Sequence, residues 1–165
     1  MWSIAAFAAE AAELGFSADE IEALIVELAP ITKVIAIAND LAYAVKGGRV
    51  SAWVKKLTEL LHINPVLTAS AKGKLTLAGF HPRRGANPEA LAKSAVAKMT
   101  HNRMYRVMIS HANNLKGAKE LRRQILRRHG QIHSCHLTDT GPALGVHLGS
   151  GGLIVAFMPQ SDLLI

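Results

Sequence analysis

The chain has 165 residues, half of them hydrophobic, and carries 19 Lys and Arg against 12 Asp and Glu. This length and composition fit one domain with a sizeable core, and no apolar run approaches the ~20 residues that span a bilayer. The lone Cys135 excludes an internal disulfide framework and fits a reducing compartment. The N-terminus has no basic region before an apolar one, and Glu10 and Glu13 interrupt its first helix, so we expect no signal peptide and a cytoplasmic protein. The net charge of +7 is compatible with an acidic ligand or with nucleic acid and selects neither.

The first 30 residues predict two amphipathic helices. Gly15 ends the first, Ser17 and Glu20 form a capping-box pattern at the start of the second, and Pro30 is expected to stop it. An apolar, β-branched run over residues 32–38 predicts the first strand. Because both helices precede every strand, we interpret residues 1–30 as a helical lead-in to a sheet that begins at about residue 31.

The middle and end of the chain alternate between strand and helix patterns. Helices are expected over residues 41–46, from Ser51 to about 61, from Pro88 to about 100 and up to residue 128. The first of these is capped by Asn39 or Asp40, and the last is capped by Asn113 or Asn114. Strands are expected over 66–69 and 74–80, which form a hairpin through a turn at 72–73, and over 103–110, 132–137 and 153–158. Six strands with about six helices predict an α/β domain with a mixed six-stranded sheet packed with helices.

A glycine-rich segment over residues 141–152 contains five glycines and His147 between two strand-like runs. Glycine suits backbone that turns sharply or approaches another group closely, so the segment predicts a tight loop, without helical or strand context, that aims one imidazole. An imidazole can donate hydrogen bonds to an anion. The segment is not a phosphate-binding loop, because it leads into a strand and has no lysine. The alternative is a structural histidine bonded to a backbone carbonyl.

A second candidate is Arg49, which follows two glycines and precedes the helix expected from Ser51. An arginine there can bind a carboxylate or phosphate through two hydrogen bonds, and a helix N-terminus adds backbone donors. The alternative is an ordinary solvated arginine. The segments around His147 and Arg49 add the candidate loop contacts Gly48, Ser51, Gly145, Gly149 and Ser150.

Other clusters give weaker indications of function. His133 and Cys135 are expected on one face of a strand and His136 on the other, with no further ligand pair at a zinc spacing, so we predict no metal. Four arginines lie on one predicted helix; Arg122 falls within its apolar stripe and three are expected in solvent, namely Arg123, Arg127 and Arg128. No hydrolase triad or carboxylate pair is present in the sequence pattern, so we predict no catalytic activity.

Several segments are similar, in order and spacing, to the DegV family of fatty-acid-binding proteins from about residue 3 to 157. They are the Gly-Gly-Arg segment over 40–51, residues 61–67, residues 109–112 with Ala118 and Leu121, and the glycine-rich segment over 141–151. The resemblance implies two domains that bury one long-chain fatty acid between them. It also implies a partner, a dihydroxyacetone-kinase-like, ATP-dependent kinase that makes the acyl phosphate. By the same resemblance, His147 hydrogen-bonds the carboxylate and Arg49 lies near it.

The chain departs from this family at two places. Val146 and Leu148 replace threonines beside the histidine, and Ser150 replaces a proline. The family's N-terminal half is absent, so residues 1–165 resemble its C-terminal, lipid-binding domain.

We therefore expect a fatty-acid carrier without enzymatic activity, cofactor or metal, whose partners are the acid and the kinase; a homodimer is an open alternative to a monomer. Two other hypotheses remain: a basic nucleic-acid-binding module that uses the arginine-rich helix, and a small enzyme that acts on a carboxylated substrate through His147.

Overall fold

The secondary structure follows local signals along most of the chain. The computed structural model describes residues 2–39, 41–48, 51–69, 75–82 and 87–160. Its elements are α1 (Trp2–Glu13), α2 (Ala18–Ile31), β1 (Lys33–Ile37), α3 (Ala42–Lys46), α4 (Ala52–Leu60), β2 (Ile63–Ala69), β3 (Leu75–Pro82), α5 (Pro88–Val96), β4 (Tyr105–His111), α6 (Leu115–Arg128), β5 (Ile132–Asp139), α7 (Pro142–Leu148) and β6 (Leu153–Pro159).

The start of α2 agrees with the sequence, whereas its end does not. Ser17 and Glu20 form the expected capping box. Pro30 was expected to stop the helix but lies in its last turn. A proline there leaves only the carbonyl of residue 26 without its helical donor, and Val26 is exposed, so water can replace that bond. The helix ends when the backbone N–H and the hydroxyl of Thr32 both donate to the Leu28 carbonyl.

Two further boundaries differ from the sequence expectation. β2 begins at Ile63, so Asn64 and Pro65 lie inside a strand. A proline fits at this position because β1 pairs with β2 only along residues 66–68, and Pro65 therefore needs no donor toward β1. α5 ends at Val96, and tighter i→i+3 turns continue to Met99. The expected hairpin turn at 72–73 lies outside the described residues.

The six strands form one mixed sheet in the order β3-β2-β1-β6-β4-β5. The pair β4–β5 is parallel, and every other neighbouring pair is antiparallel. The predicted mixed α/β architecture is therefore confirmed. Because β4 and β5 are parallel and β6 runs against β4, the ends at His111 and Asp139 lie at the same sheet edge as Leu153, where β6 starts. The candidate site lies along this edge.

Three apolar clusters hold the helices on the sheet. The first fills one face under α5 and α6, and its fully buried members include Leu91, Leu121 and Val155. The second lies on the opposite face and includes Leu41, just before α3, Val54 of α4 and Leu148 of α7. The third packs α1 against α2 and over Met158 of β6. The helices α3, α4 and α7 are thus grouped over one face of the sheet.

Candidate ligand-binding site

Residues 141–152 do not form the tight loop that their glycines predict. They form α7, which begins after Gly141 with a proline in its first turn and ends at Gly149, where φ is +70°. Proline at the start and glycine at the end are ordinary helix boundary signals, so these glycines delimit a helix. The loop context predicted for His147 is therefore wrong, because His147 lies in the last turn of α7.

The His147 ring has one buried nitrogen and lies on a helix that also exposes apolar side chains. His147 as a whole is half-buried. Its Nδ1 atom is fully buried and has no hydrogen-bond partner within the described part of the chain. A proton on that nitrogen would be an unsatisfied buried donor, so the neutral ring is expected to carry its hydrogen on Nε2. Leu144 and Val146 on the same helix are 53% and 47% exposed, whereas Leu148 is buried. The helix thus offers one directed donor beside apolar surface.

Main-chain and hydroxyl contacts attach both ends of α7 to the sheet edge. Just before the helix, the backbone N–H and the hydroxyl of Thr140 donate to the His111 carbonyl at 2.9 and 3.0 Å. At its end, the Asn39 N–H donates to the Leu148 carbonyl at 2.9 Å. A helix of seven residues is too short to be stable by itself in water. The orientation of His147 therefore depends on these attachments.

Three polar side chains near α7 were not singled out as site residues from the sequence. The amide of Asn39 donates to the Ser150 carbonyl at 2.9 Å, and that of Asn114 donates to the Gly151 carbonyl at 2.8 Å. His111 is buried; its Nδ1 accepts from the backbone N–H of Asn114 at 3.3 Å and lies 3.2 Å from Asp139 Oδ1. In the sequence, the two asparagines are visible only as candidate helix caps. Their hydrogen bonds to the turn over residues 149–152 are tertiary contacts, which local sequence patterns do not indicate.

The second predicted part of the site is the segment around Arg49, and the structure describes only some of its residues. α3 contacts α7 and α4, and Gly48, whose φ is +68°, ends the turn after α3. Ser51 is the residue that caps α4, as expected, although its side chain makes no capping hydrogen bond. Arg49 lies outside the described residues, so its predicted proximity to His147 remains a prediction. The structure groups the segments that carry Gly48, Ser51, Gly145, Gly149 and Ser150 on the α3–α4–α7 side.

The strand with two histidines and a cysteine has no metal-site geometry. A register shift between Tyr105 and Arg106 changes which residues of β5 share a face. As a result, His133 Nε2 lies 3.4 Å from Arg106 Nη2, whereas Cys135 packs against the first cluster. The expectation that His133 and Cys135 share a face is therefore wrong. No group of metal ligands was found among the described residues, and burial raises the pKa of the Cys135 thiol to about 11.

The arginine-rich helix α6 is partly neutralised by neighbouring carboxylates. Arg123 is bonded to Glu120 at 2.8 Å, and its hydrogen bond lowers the pKa of that carboxyl. Arg128, expected in solvent, is mostly buried and bonded to Glu89 of α5 at 2.9 Å. Arg122 is exposed, so it leaves the apolar stripe in which the helical spacing places it. Two of the four cations are thus paired within the protein.

Two cavities lined by described residues lie away from α7. An apolar cavity of about 650 Å³ lies between α1 and α2, with Ala8, Ile21, Ile25 and Val26 among its lining residues. A second, of about 270 Å³, lies between β3 and α5 and is lined in part by Phe80, His81 and Lys98. In the described parts of the chain, no helix is long and apolar enough to cross a membrane.

The fold and the paired glycine segments define a family of α/β proteins. A family model described as "Uncharacterised protein, DegV family" matches residues 3–160, so the chain belongs to the DegV family. A DegV domain-containing protein of Streptococcus pneumoniae is 28% identical over 130 residues, which are 78% of this chain and 45% of that protein. Another, from Streptococcus pyogenes, is 27% identical over 158 residues, which are 94% of this chain and 53% of that protein.

Solved structures share this fold at lower sequence identity. The Streptococcus pneumoniae Fatty Acid Kinase (Fak) B3 protein, loaded with linoleic acid, superposes with a TM-score of 0.83 at 21% identity, covering 95% of this chain and 55% of that one. A DegV family protein from Thermus thermophilus, described by its fatty acid binding, gives 0.82 at 21% identity over 96% and 56%. One from Eubacterium eligens, loaded with heptadecanoic acid, gives 0.80 at 22% over 95% and 56%. The chain therefore spans about half the length of these proteins.

Proposed function

We propose that this chain is the carboxylate-holding half of a fatty-acid carrier and that His147 binds the acid's carboxylate. The single observation that carries the proposal is the half-buried His147 ring, whose buried Nδ1 is unpaired within the described residues. The neutral ring is therefore expected to carry its hydrogen on Nε2, and a carboxylate oxygen is a strong acceptor for that N–H group.

Burial and chemistry around the ring support an amphipathic acid as the ligand. A carboxylate that leaves water needs directed donors to offset its desolvation, and His147 supplies one. Leu144 and Val146 expose apolar surface on the same helix, and each buried methylene of an acyl chain contributes about 0.8 kcal/mol. The fatty acids bound to the Streptococcus pneumoniae and Eubacterium eligens structures support the same ligand class.

We propose that the bound acid is then presented to an ATP-dependent fatty acid kinase. The kinase would transfer the γ-phosphoryl group of ATP to a carboxylate oxygen, which gives the acyl phosphate and ADP. The name of the Fak B3 protein supports this partner. In this role the chain binds and orients the acid, the phosphoryl transfer takes place on the kinase, and the chain itself needs no cofactor.

The test is a titration with decanoate, below its critical micelle concentration, followed through the Cε1–H resonances of the eight histidines in the 165-residue chain. We expect decanoate to shift the His147 resonance and decan-1-ol, which lacks the carboxylate, to leave it unchanged. Replacement His147→Ala should weaken decanoate binding by about tenfold or more, the scale of one charged hydrogen bond. The matched control is His101→Ala, because His101 is exposed near the start of β4, at the opposite edge of the sheet.

The affinity of the 165-residue chain tests the half-site part of the proposal. Because these relatives are about twice as long, we expect this chain alone to bind long-chain acids weakly. Sub-micromolar binding would show that the pocket is complete within the chain. No shift of the His147 resonance at saturating decanoate would contradict the carboxylate-binding role.

The nucleic-acid alternative is not favoured by the contacts of α6, since Arg123 and Arg128 are paired with Glu120 and Glu89. The relatives named above give it no support. A salt titration of binding to random duplex DNA separates the two functions, because a module that contacts many phosphates loses affinity steeply with salt.

A further inference from the structure

The turn between α7 and β6 is held from both sides by asparagine side chains. Asn39, which follows β1, donates from Nδ2 to the Ser150 carbonyl at 2.9 Å. Asn114, which precedes α6, donates from Nδ2 to the Gly151 carbonyl at 2.8 Å. Two separate parts of the fold therefore bond to consecutive carbonyls of one turn.

Two glycines allow the backbone of this turn to pack closely against its neighbours. Gly151 has φ of +94°, and a Cβ atom there would lie 3.0 Å from Asn39 Nδ2. Its N–H also donates to the Ala112 carbonyl at 2.7 Å. A Cβ atom on Gly152 would lie 2.8 Å from Leu148 Cβ. The turn is thus packed closely against both an asparagine and the end of α7.

Asn114 uses both ends of its amide. Oδ1 accepts from the Gly117 N–H at 3.0 Å and so caps α6, while Nδ2 reaches Gly151. Asn87 offers a comparison, because its Oδ1 caps α5 through the Ala90 N–H at 3.1 Å, and among the described residues its side chain makes no second hydrogen bond. Serine caps helices about as well as asparagine but has no amide donor. A serine at either position therefore keeps the cap, and at residue 114 it removes only the contact to the turn.

We propose that Asn39 and Asn114 are positioning residues for His147. The proposal rests on the function proposed above, because it concerns the ring that binds the carboxylate. α7 begins after Gly141, which provides no side-chain cap, and it contains Gly145; glycine lowers helix stability. Such a helix keeps its orientation through its ends, and the two asparagines hold the end that carries His147.

The experiment compares Asn114→Ser with the matched control Asn87→Ser in the 165-residue chain. We measure the thermal midpoint, the position and width of the His147 Cε1–H resonance without ligand, and decanoate affinity. Asn114→Ser should shift or broaden that resonance and weaken decanoate binding by about fivefold or more, the effect of losing one directed hydrogen bond. Its thermal midpoint should stay close to that of Asn87→Ser, which should leave both the resonance and the affinity unchanged.

Each outcome decides one of the two proposals. If the unmodified chain shows no decanoate-induced shift, the proposed function fails, and the ligand-free His147 resonance still tests the positioning role. If the unmodified chain binds decanoate and Asn114→Ser leaves both the resonance and the affinity unchanged, the positioning role is wrong. Should Asn114→Ser not fold, Asn39→Ser replaces it with the same expected result. If neither variant folds, the asparagines are structural and the inference is overturned.

Discussion

Arg106 Nη2 on β4 donates a hydrogen bond of 2.9 Å to Glu10 Oε1 on α1, which joins residues 96 positions apart in the chain. The second guanidinium nitrogen, Nη1, bonds to the other oxygen of the same carboxylate. The Arg106 side chain is only 11% exposed, and its guanidinium lies 5.8 Å from the centre of the Phe7 ring. This bidentate pair attaches the first helix to the sheet.

The pair should make stability depend on pH in the acid range. The hydrogen bond from Arg106 lowers the pKa of the Glu10 carboxyl below its usual value. A carboxyl with a depressed pKa in the folded state contributes stability above its unfolded pKa, about 4.3, and loses it as pH falls through the folded pKa. Replacement Glu10→Gln should therefore lower the free energy of unfolding by about 1 kcal/mol at pH 7, a modest amount because the Glu10 carboxylate is partly exposed.

Urea denaturation at pH 7 and pH 3 measures this effect. The difference between the unmodified chain and Glu10→Gln should shrink toward zero at pH 3. Glu13→Gln is the control, because Glu13 is exposed on the same helix. A difference that is the same at both pH values would show that the ion pair does not cause it.

Cys135 should be unreactive in the folded protein. Burial raises the pKa of its thiol to about 11, so little thiolate exists at pH 8, whereas an unfolded thiol has a pKa of about 8.5. Alkylation by iodoacetamide at pH 8 should be slower in the native chain than in urea by a factor on the order of 100. Equal alkylation rates in the native chain and in urea would show that the Cys135 thiol is exposed to solvent in the folded protein.

The turn after α7 should tolerate no side chain at Gly151. Its φ of +94° is unfavourable for residues with a Cβ atom, and that atom would approach Asn39 Nδ2 to 3.0 Å. Gly151→Ala should lower the free energy of unfolding by roughly 1–3 kcal/mol. Gly130→Ala is the control, since a Cβ atom there meets nothing within 4 Å. A Gly151→Ala chain as stable as Gly130→Ala would contradict the geometry of this turn.

The proton on the His147 ring provides a test that needs no ligand. We expect neutral His147 to carry its hydrogen on Nε2, because its buried Nδ1 meets no acceptor within the described residues. The ¹⁵N shifts of the ring at a pH where it is neutral distinguish the two tautomers. A dominant Nδ1–H form would indicate that the buried nitrogen has an acceptor, and would remove the reason for assigning the donor to Nε2.

The sequence predicts the six strands well because β-branched and apolar runs mark them locally. It fails at α7, where a helix of seven residues interrupted by Gly145 shows too little apolar periodicity to be recognised. It also fails at Arg128. A helical wheel places this residue in solvent, whereas in the structure it forms an ion pair with Glu89 of the neighbouring helix α5. In both cases the deciding contacts come from elements distant in the chain.

The candidate site could be predicted only in part. His147 is identifiable from its glycine-rich surroundings, whereas the asparagines that bond to its turn are not. Asn39 and Ser150 are 111 positions apart, and Asn114 and Gly151 are 37 apart. Contacts at such separations follow from the order of strands in the sheet, which places the ends of β1 and β4 beside the start of β6.

The carboxylate-binding role of His147 is tested most directly by a crystal structure of the chain with a bound long-chain fatty acid. We expect a carboxylate oxygen within hydrogen-bonding distance, about 2.7–3.2 Å, of a His147 ring nitrogen. An acid bound elsewhere, such as in the apolar cavity between α1 and α2, with His147 left without a carboxylate contact, would contradict it.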